Sequence, residues 1–208
     1  DSLNGKNVQE CYHDAVFHRD EVRSLFNQGS ASLRDRALAE RIFWQIILKI
    51  AEEIRERKYV PDELQDIESV IADVYFGNFS VFQSLPDSWA IEQLFPIIPI
   101  HRLNEMPNRK AVLADITCDC DGKIDRFIDL HDVRRTLPLH DLNGKDYILG
   151  VFLVGAYQET LGDLHNLLGD TNVVSVRLGA NGQPEYVREI AGDTVADVLS
   201  YVEYDPND

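Results

Sequence analysis

The chain has 208 residues with 44% hydrophobic content, enough for one large domain or two small ones. Its net charge of -16 argues against nucleic-acid partners and against an anionic membrane surface, and it is compatible with a cationic ligand. Three cysteines, Cys11, Cys118 and Cys120, are an odd number without regular spacing, which points to a reduced, cytoplasmic setting and not to a disulfide framework. No apolar run approaches the roughly 20 residues that span a bilayer, and no signal peptide is visible. The first residue is Asp1 and not Met, so the chain is expected to be a piece of something longer, which leaves a signal further upstream open.

Residues 1–27 are polar with scattered aromatics and read as a lead-in plus a helix start. A strong helix follows. Ser32 is its N-cap, Asp35 stands three residues on, and Leu33, Ala37, Phe43, Ile47, Ile50 and Ile54 recur near a 3.6 period. Arg55, Arg57 and Lys58 are placed in its last turn, where cations suit the helix dipole, and Pro61 ends it. A second helix is expected from about Asp62 to Tyr75, with Leu64, Ile67, Ile71 and Val74 on one face. The two would form an antiparallel hairpin with Phe43 and Trp44 in its core.

Asn78 to Leu103 is rich in aromatics and prolines (Phe79, Phe82, Pro86, Trp89, Phe95, Pro96 and Pro99). It reads as an irregular crossing segment, buried in the protomer or packed on another subunit. From about residue 110 the pattern turns to β, with strands expected at 111–117, 124–129, 147–154, 173–178 and 185–190. Ala180-Asn181-Gly182 marks a hairpin between the last two. One helix is expected from Ala156 to a cap at Gly169, and another from Asp193 or Thr194, with Asp197 completing a capping box. The fold class is therefore α+β: a helical hairpin or bundle, then a mostly antiparallel β-domain. The divisions fall at 1–27 (lead-in), 28–95 (helical domain) and 96–208 (β-domain).

The densest chemistry lies in Ile116-Thr117-Cys118-Asp119-Cys120-Asp121-Gly122, just after an apolar strand. A strand end presents side chains on a rigid base. A cysteine there can move a proton, and an adjacent aspartate can hold a cationic group. The same residues also suit a polar turn with incidental cysteines. Placing Gly122 at the sixth position of an EF-hand loop puts Thr117 first and Ile128 twelfth, so both ends lack the carboxylate that calcium requires. Zinc would need two ligands beyond Cys118 and Cys120; His131 is a conceivable third, and no metal ligand is assigned. Gly155-Ala156-Tyr157 follows the most apolar strand, so Tyr157 opens a helix where its hydroxyl can donate to an anion, although a buried tyrosine is the commoner case. His165 and Asn166 are placed near the end of that helix, where a histidine more often caps or fills a core.

Taken together, several long stretches resemble bacterial biosynthetic arginine decarboxylases. They are Ser88-Trp-Ala-Ile-Glu-Gln-Leu-Phe-Pro96, Asp115-Ile-Thr-Cys-Asp-Cys-Asp-Gly122, Gly155-Ala-Tyr-Gln-Glu159, Leu161-Gly-Asp-Leu-His-Asn-Leu-Leu-Gly-Asp-Thr-Asn172 and Gly192-Asp-Thr-Val-Ala-Asp-Val-Leu-Ser-Tyr-Val202. The resemblance covers most of the chain from about Cys11. It implies a pyridoxal phosphate-dependent carboxy-lyase of the alanine-racemase-like fold, a barrel followed by a β-domain, assembled as a homo-oligomer. It would convert L-arginine to agmatine and carbon dioxide in polyamine (spermidine) biosynthesis, with Mg2+ as a further cofactor.

On this resemblance the chain begins after the barrel, residues 28–85 are the helical insertion, and a final helical tail is missing after Asp208. Cys118 matches the proton donor, Asp119 the carboxylate that binds the distal cationic end of the substrate, and Tyr157 the tyrosine that contacts the cofactor phosphate. Cys118 and Asp119 would act across a dimer interface. Cys120 departs from the family, which has serine there. None of Lys6, Lys49, Lys58, Lys110, Lys123 and Lys145 stands in a Schiff-base context; that lysine belongs to the barrel, so this chain alone is expected to be inactive. Two other readings stay open: a non-catalytic assembly module, and a decarboxylase of another basic amino acid.

Overall fold

The computed structural model describes residues 7–205 except 56, 58, 66 and 131, without the side chains of 62 and 65. It forms two compact units that meet in sequence between Ala72 and Asp73. The divisions read from the sequence, at 27 and 95, do not coincide with this one. Residues 8–27 are not a lead-in but a full helix, and a strand that the sequence reading took for helix opens the second unit at Asp73.

In the first unit the helical hairpin is made by α1 (Val8–Asn27) and α2 (Leu33–Ile54), and not by α2 with the 62–75 segment as expected from the sequence. The turn between them needs Gly29, whose φ of 74° is in the left-handed region while Ser30 N–H returns to Leu25 O (2.8 Å). Ser32 caps α2 as expected: its hydroxyl accepts from Asp35 N–H (3.2 Å), and the Asp35 carboxylate accepts from Ser32 N–H (3.0 Å). The Ser32 hydroxyl also donates to the Asp35 carboxylate (2.6 Å), and this bond, followed by that from Ser32 N–H, holds the Asp35 carboxyl below the usual range.

Val8 and Ala15 of α1 pack with Phe43, Ile47, Ile50, Ala51 and Ile54 of α2 and with Leu64 and Ile67. The buried stripe therefore starts at Phe43; Leu33 and Ala37 are exposed. Trp44 lies 42% exposed at the rim, its ring 5.3 Å from that of Phe43, and so does not join the core. The last turn of α2 carries no basic residue: Arg55 is the C-cap, Arg57 reaches back to Glu53 O (3.1 Å), and Lys58 lies outside the described residues. Of the helix expected over 62–75, the described residues are helical at α3 (Asp62–Gln65) and α4 (Ile67–Val70) and no further than Val70. Beyond them the chain extends into β1 (Asp73–Phe76), whose side chains alternate in burial with period 2.

The second unit is built on a sheet in which β3 (Arg109–Ala114) is central. β1 pairs with it in parallel, Asp73 opposite Ala111. β4 (Lys123–Ile124) and β7 (Leu137–Leu139) pair with it antiparallel. Three two-stranded antiparallel pairs accompany this sheet: β2 (Ile97–Pro99) with β8 (Leu149–Val151), β5 (Phe127–Ile128) with β6 (Val133–Arg134), and β9 (Val173–Leu178) with β10 (Pro184–Ile190). The β9–β10 turn is the one read from the sequence, with Gly182 at φ 75° and its N–H on Gly179 O (2.9 Å).

The crossing segment holds two short helices, α5 (Val81–Ser84), capped by Ser80, and α6 (Pro86–Ala90), opened by Pro86. Its aromatics divide: Phe82 and Phe95 are buried and Trp89 is exposed. Val81, Leu85, Phe95 and Ile97 join Ala111, Leu113, Ile124, Phe127, Leu137 and Leu139 in the core of this unit. α7 covers only Ala156–Leu161, and α8 (Val195–Tyr201) carries the expected capping box between Thr194 and Asp197. No barrel is present among the described residues, and no described helix is long and apolar enough to cross a membrane.

Candidate functional site

The loop 115–122 leaves β3 and returns as β4. Its anchor is Asp115, 4% exposed, a residue whose part the sequence reading did not foresee. One carboxylate oxygen accepts from Thr117 N–H (2.9 Å) and Thr117 Oγ1–H (2.7 Å). The other accepts from Val81 N–H (2.9 Å) at the start of α5. Asp115 N–H in turn donates to Gly122 O (2.8 Å), closing the loop at its base. Gly122 is required by this closure, since a Cβ there would lie 2.6 Å from Asp115 Cγ. With three donors satisfied, this buried carboxylate ties the start of the loop to the start of α5.

The exposed tip presents Cys118, Asp119, Cys120 and Asp121. Asp119 Oδ1 accepts from Asp121 N–H (2.9 Å), which orients the carboxylate while leaving lone pairs on both oxygens for a ligand. Just past the tip, Lys123 donates to Asp125 (2.9 Å), and this bond raises the Lys123 ammonium above the usual lysine range.

Cys118 is held from the other side by Asn166. Asn166 Oδ1 accepts from Cys118 N–H (3.1 Å), and its Nδ2 lies 3.2 Å from Cys118 Sγ. The sequence reading put His165 and Asn166 on a helix running to Gly169. That helix stops at Leu161. Gly162 turns to ψ 135° directly beside the backbone of Gln83, where a Cβ would clash. Asn166 and Leu167 have φ of 55° and 57°, the left-handed region that no right-handed helix contains. Gly169 is not a helix cap but a point of close approach, since a Cβ there would lie 2.7 Å from Val198 Cγ2. The turn so formed stacks His165 on Phe82 of α5, ring centroids 4.5 Å apart. α5 therefore supports the loop through Asp115 and the turn through Phe82.

Tyr157 stands on the first turn of α7, 75% exposed, so its hydroxyl is open to a ligand and is not the satisfied core tyrosine of the commoner case. Its neighbour Gln158 is buried and ties α7 to α6: Gln158 Nε2 donates to Asp87 Oδ2 (2.6 Å), and Gln158 Oε1 accepts from Asp87 N–H (3.1 Å). The ligand atoms of Asp119, Cys120 and Asp121 lie within 4.8 Å of one another, a set that excludes Cys118; His131 lies outside the described residues.

Residues 1–68 match the arginine decarboxylase helical bundle domain. The biosynthetic arginine decarboxylase of a Nostoc species is 55% identical over 209 aligned residues, covering 100% of this chain and 30% of that protein. That of Phocaeicola vulgatus is 52% identical, over 99% of this chain and 33% of that protein. The crystal structure of the Campylobacter jejuni biosynthetic arginine decarboxylase superposes with a TM-score of 0.71 at 36% identity, covering 98% of this chain and 31% of that one. The chain thus spans about a third of the length of the relatives it matches.

Proposed function

Since the chain belongs to the biosynthetic arginine decarboxylases and corresponds to their C-terminal portion, we propose that it supplies the proton donor and a substrate-binding carboxylate to L-arginine decarboxylation. The observation that carries this reading is the exposed Cys118–Asp119 pair on a loop anchored by buried Asp115. Loss of carbon dioxide leaves an electron pair on the α-carbon. Cys118 Sγ–H gives its proton to that carbon, agmatine forms, and the thiolate recovers a proton from solvent. Asp119 pairs with the guanidinium at the far end of the substrate, and the fork of N–H donors against a carboxylate fixes the distance from that end to the thiol. In this reading both residues serve the active site of a partner subunit in a cytoplasmic homo-oligomer.

Pyridoxal phosphate, when bound, supplies the electron sink for the pair released at the α-carbon. The exposed Tyr157 hydroxyl fits one phosphate oxygen as a donor. Lys123 is engaged with Asp125 and Lys110 lies in β3, so neither fits the Schiff-base role, which we assign to the upstream barrel. The loop does not fit Mg2+: its clustered donors include the Cys120 thiol, and magnesium selects oxygen ligands.

The test uses the full-length enzyme. Cys118→Ala should lower agmatine formation by roughly a hundredfold, within the range of a positioned proton donor, while Cys120→Ala should retain it. Normal agmatine yield from Cys118→Ala would sink the assignment and favour an assembly role for this chain.

A further inference from the structure

We infer that Asn166 is a positioning residue for Cys118, one that holds the thiol by an amide bracket and fixes where its sulfur points. The inference rests on the reading of Cys118 as proton donor, but the geometry behind it is independent of that reading. The Cys118 backbone N–H can only donate. The amide atom facing it at 3.1 Å must therefore be Oδ1, and this settles the orientation of an otherwise symmetric-looking side chain. Nδ2 is then obliged to face Cys118 Sγ at 3.2 Å, with the sulfur as acceptor. One short side chain thus grips the same residue at its backbone and at its reactive atom. Cys120, two positions on, has no such bracket among the described residues; it sits with Asp119 and Asp121.

The bracket depends on the 162–169 segment having left the helix at Gly162. The turn over His165–Leu168, with Leu168 N–H on His165 O (3.2 Å), carries Asn166 to the loop, while His165 fastens it to Phe82. In chemical terms, a sulfur that already accepts one N–H has a reduced choice of χ1 and one lone pair committed. Its S–H is then directed away from Asn166, toward whatever lies over the exposed side of the loop. Positioning by about an ångström is worth a large factor in such a transfer.

The test is Asn166→Asp in the full-length enzyme. The replacement is isosteric and keeps an oxygen for the Cys118 N–H, but sets a carboxylate against the sulfur in place of a donor. Besides the two thiols, the titratable groups on the loop and the turn, Asp115, Asp119, Asp121 and His165, are common to both proteins and cancel in the comparison. Two readouts are taken: the rates at which iodoacetamide alkylates Cys118 and Cys120, resolved by peptide mass spectrometry at one pH, and the kcat and KM for arginine. Expected is a fall of about tenfold in the Cys118/Cys120 alkylation ratio, since a negative neighbour disfavours the reactive thiolate, with kcat falling and KM little changed. An unchanged alkylation ratio overturns the inference. A changed ratio with normal agmatine from Cys118→Ala would keep the bracket and overturn the proton-donor reading instead.

Discussion

Replacing Asp115 by asparagine isolates the anchor of the loop. The carboxylate takes three hydrogen bonds, two from Thr117 on one oxygen and one from Val81 on the other. An amide has one oxygen. Turned toward Thr117, it sets an NH2 against the buried Val81 N–H; turned the other way, it faces the Thr117 N–H with a donor. Either arrangement loses at least one charge-assisted bond and leaves a backbone donor without an acceptor, a cost of about 2 kcal/mol at the loop. At ~1.4 kcal/mol per tenfold, that is roughly a 30-fold rise in the population of the opened loop.

Amide hydrogen exchange of the full-length enzyme reads it directly. Exchange at Val81 and Thr117 should accelerate by about that factor in Asp115→Asn, with the amides of α2 unaffected. Gly122→Ala breaks the same contact from the other side, because its Cβ would displace the Asp115 carboxylate. The double variant should therefore cost less than the sum of the two single ones. Exchange at Val81 and Thr117 within about twofold of the parent would refute the argument that Asp115 holds the loop.

Two further outcomes are expected of the helical unit. Gly29→Ala forces a side chain into φ 74° with no neighbour within 4 Å to clash, so backbone strain alone should cost about 1 kcal/mol, and Gly29→Asn should cost less; thermal unfolding of the full-length variants compares them. Asp35→Asn tests the α2 cap against pH. The folded carboxyl is depressed, so its contribution is present above the ordinary aspartate value of about 4 and is lost as pH falls through the lower folded one. Amide exchange in the first turn of α2 should accordingly be faster than the parent's at pH 7 and equal to it once the pH is below both values; a difference that persisted in acid would contradict the cap.

Local chemistry was legible wherever one short signal decides it. The Ser32–Asp35 and Thr194–Asp197 boxes and the Asn181-Gly182 turn are each fixed by residues within a few positions of one another, and each stands as read. The misreadings share a different cause. Val74 and Tyr75 fit a helical face as well as a strand, and the decision lay with β3, more than 30 residues on. The helix past Leu161 had acceptable residues throughout, but Gly162 lies against Gln83, a neighbour invisible from its own segment. The candidate site divides the same way. Cys118, Asp119 and Tyr157 were named from motifs, and the structure shows all three exposed. What holds Cys118 and its loop, the Asp115 carboxylate and the Asn166 amide, depends on contacts 34 and 48 residues apart in sequence, and no local pattern announces them.

The left-handed backbone at Asn166 narrows what evolution or design could put there. That conformation is entered readily by glycine, asparagine and aspartate. The bracket asks separately for an acceptor and a donor, both within two bonds of Cβ, and glycine has neither while aspartate lacks the donor. The steric preference and the chemical demand meet at asparagine, whereas Leu167 beside it shares the left-handed backbone with no bracket to serve. Position 166 therefore answers to two demands at once, although it is exposed and belongs to no helix or strand.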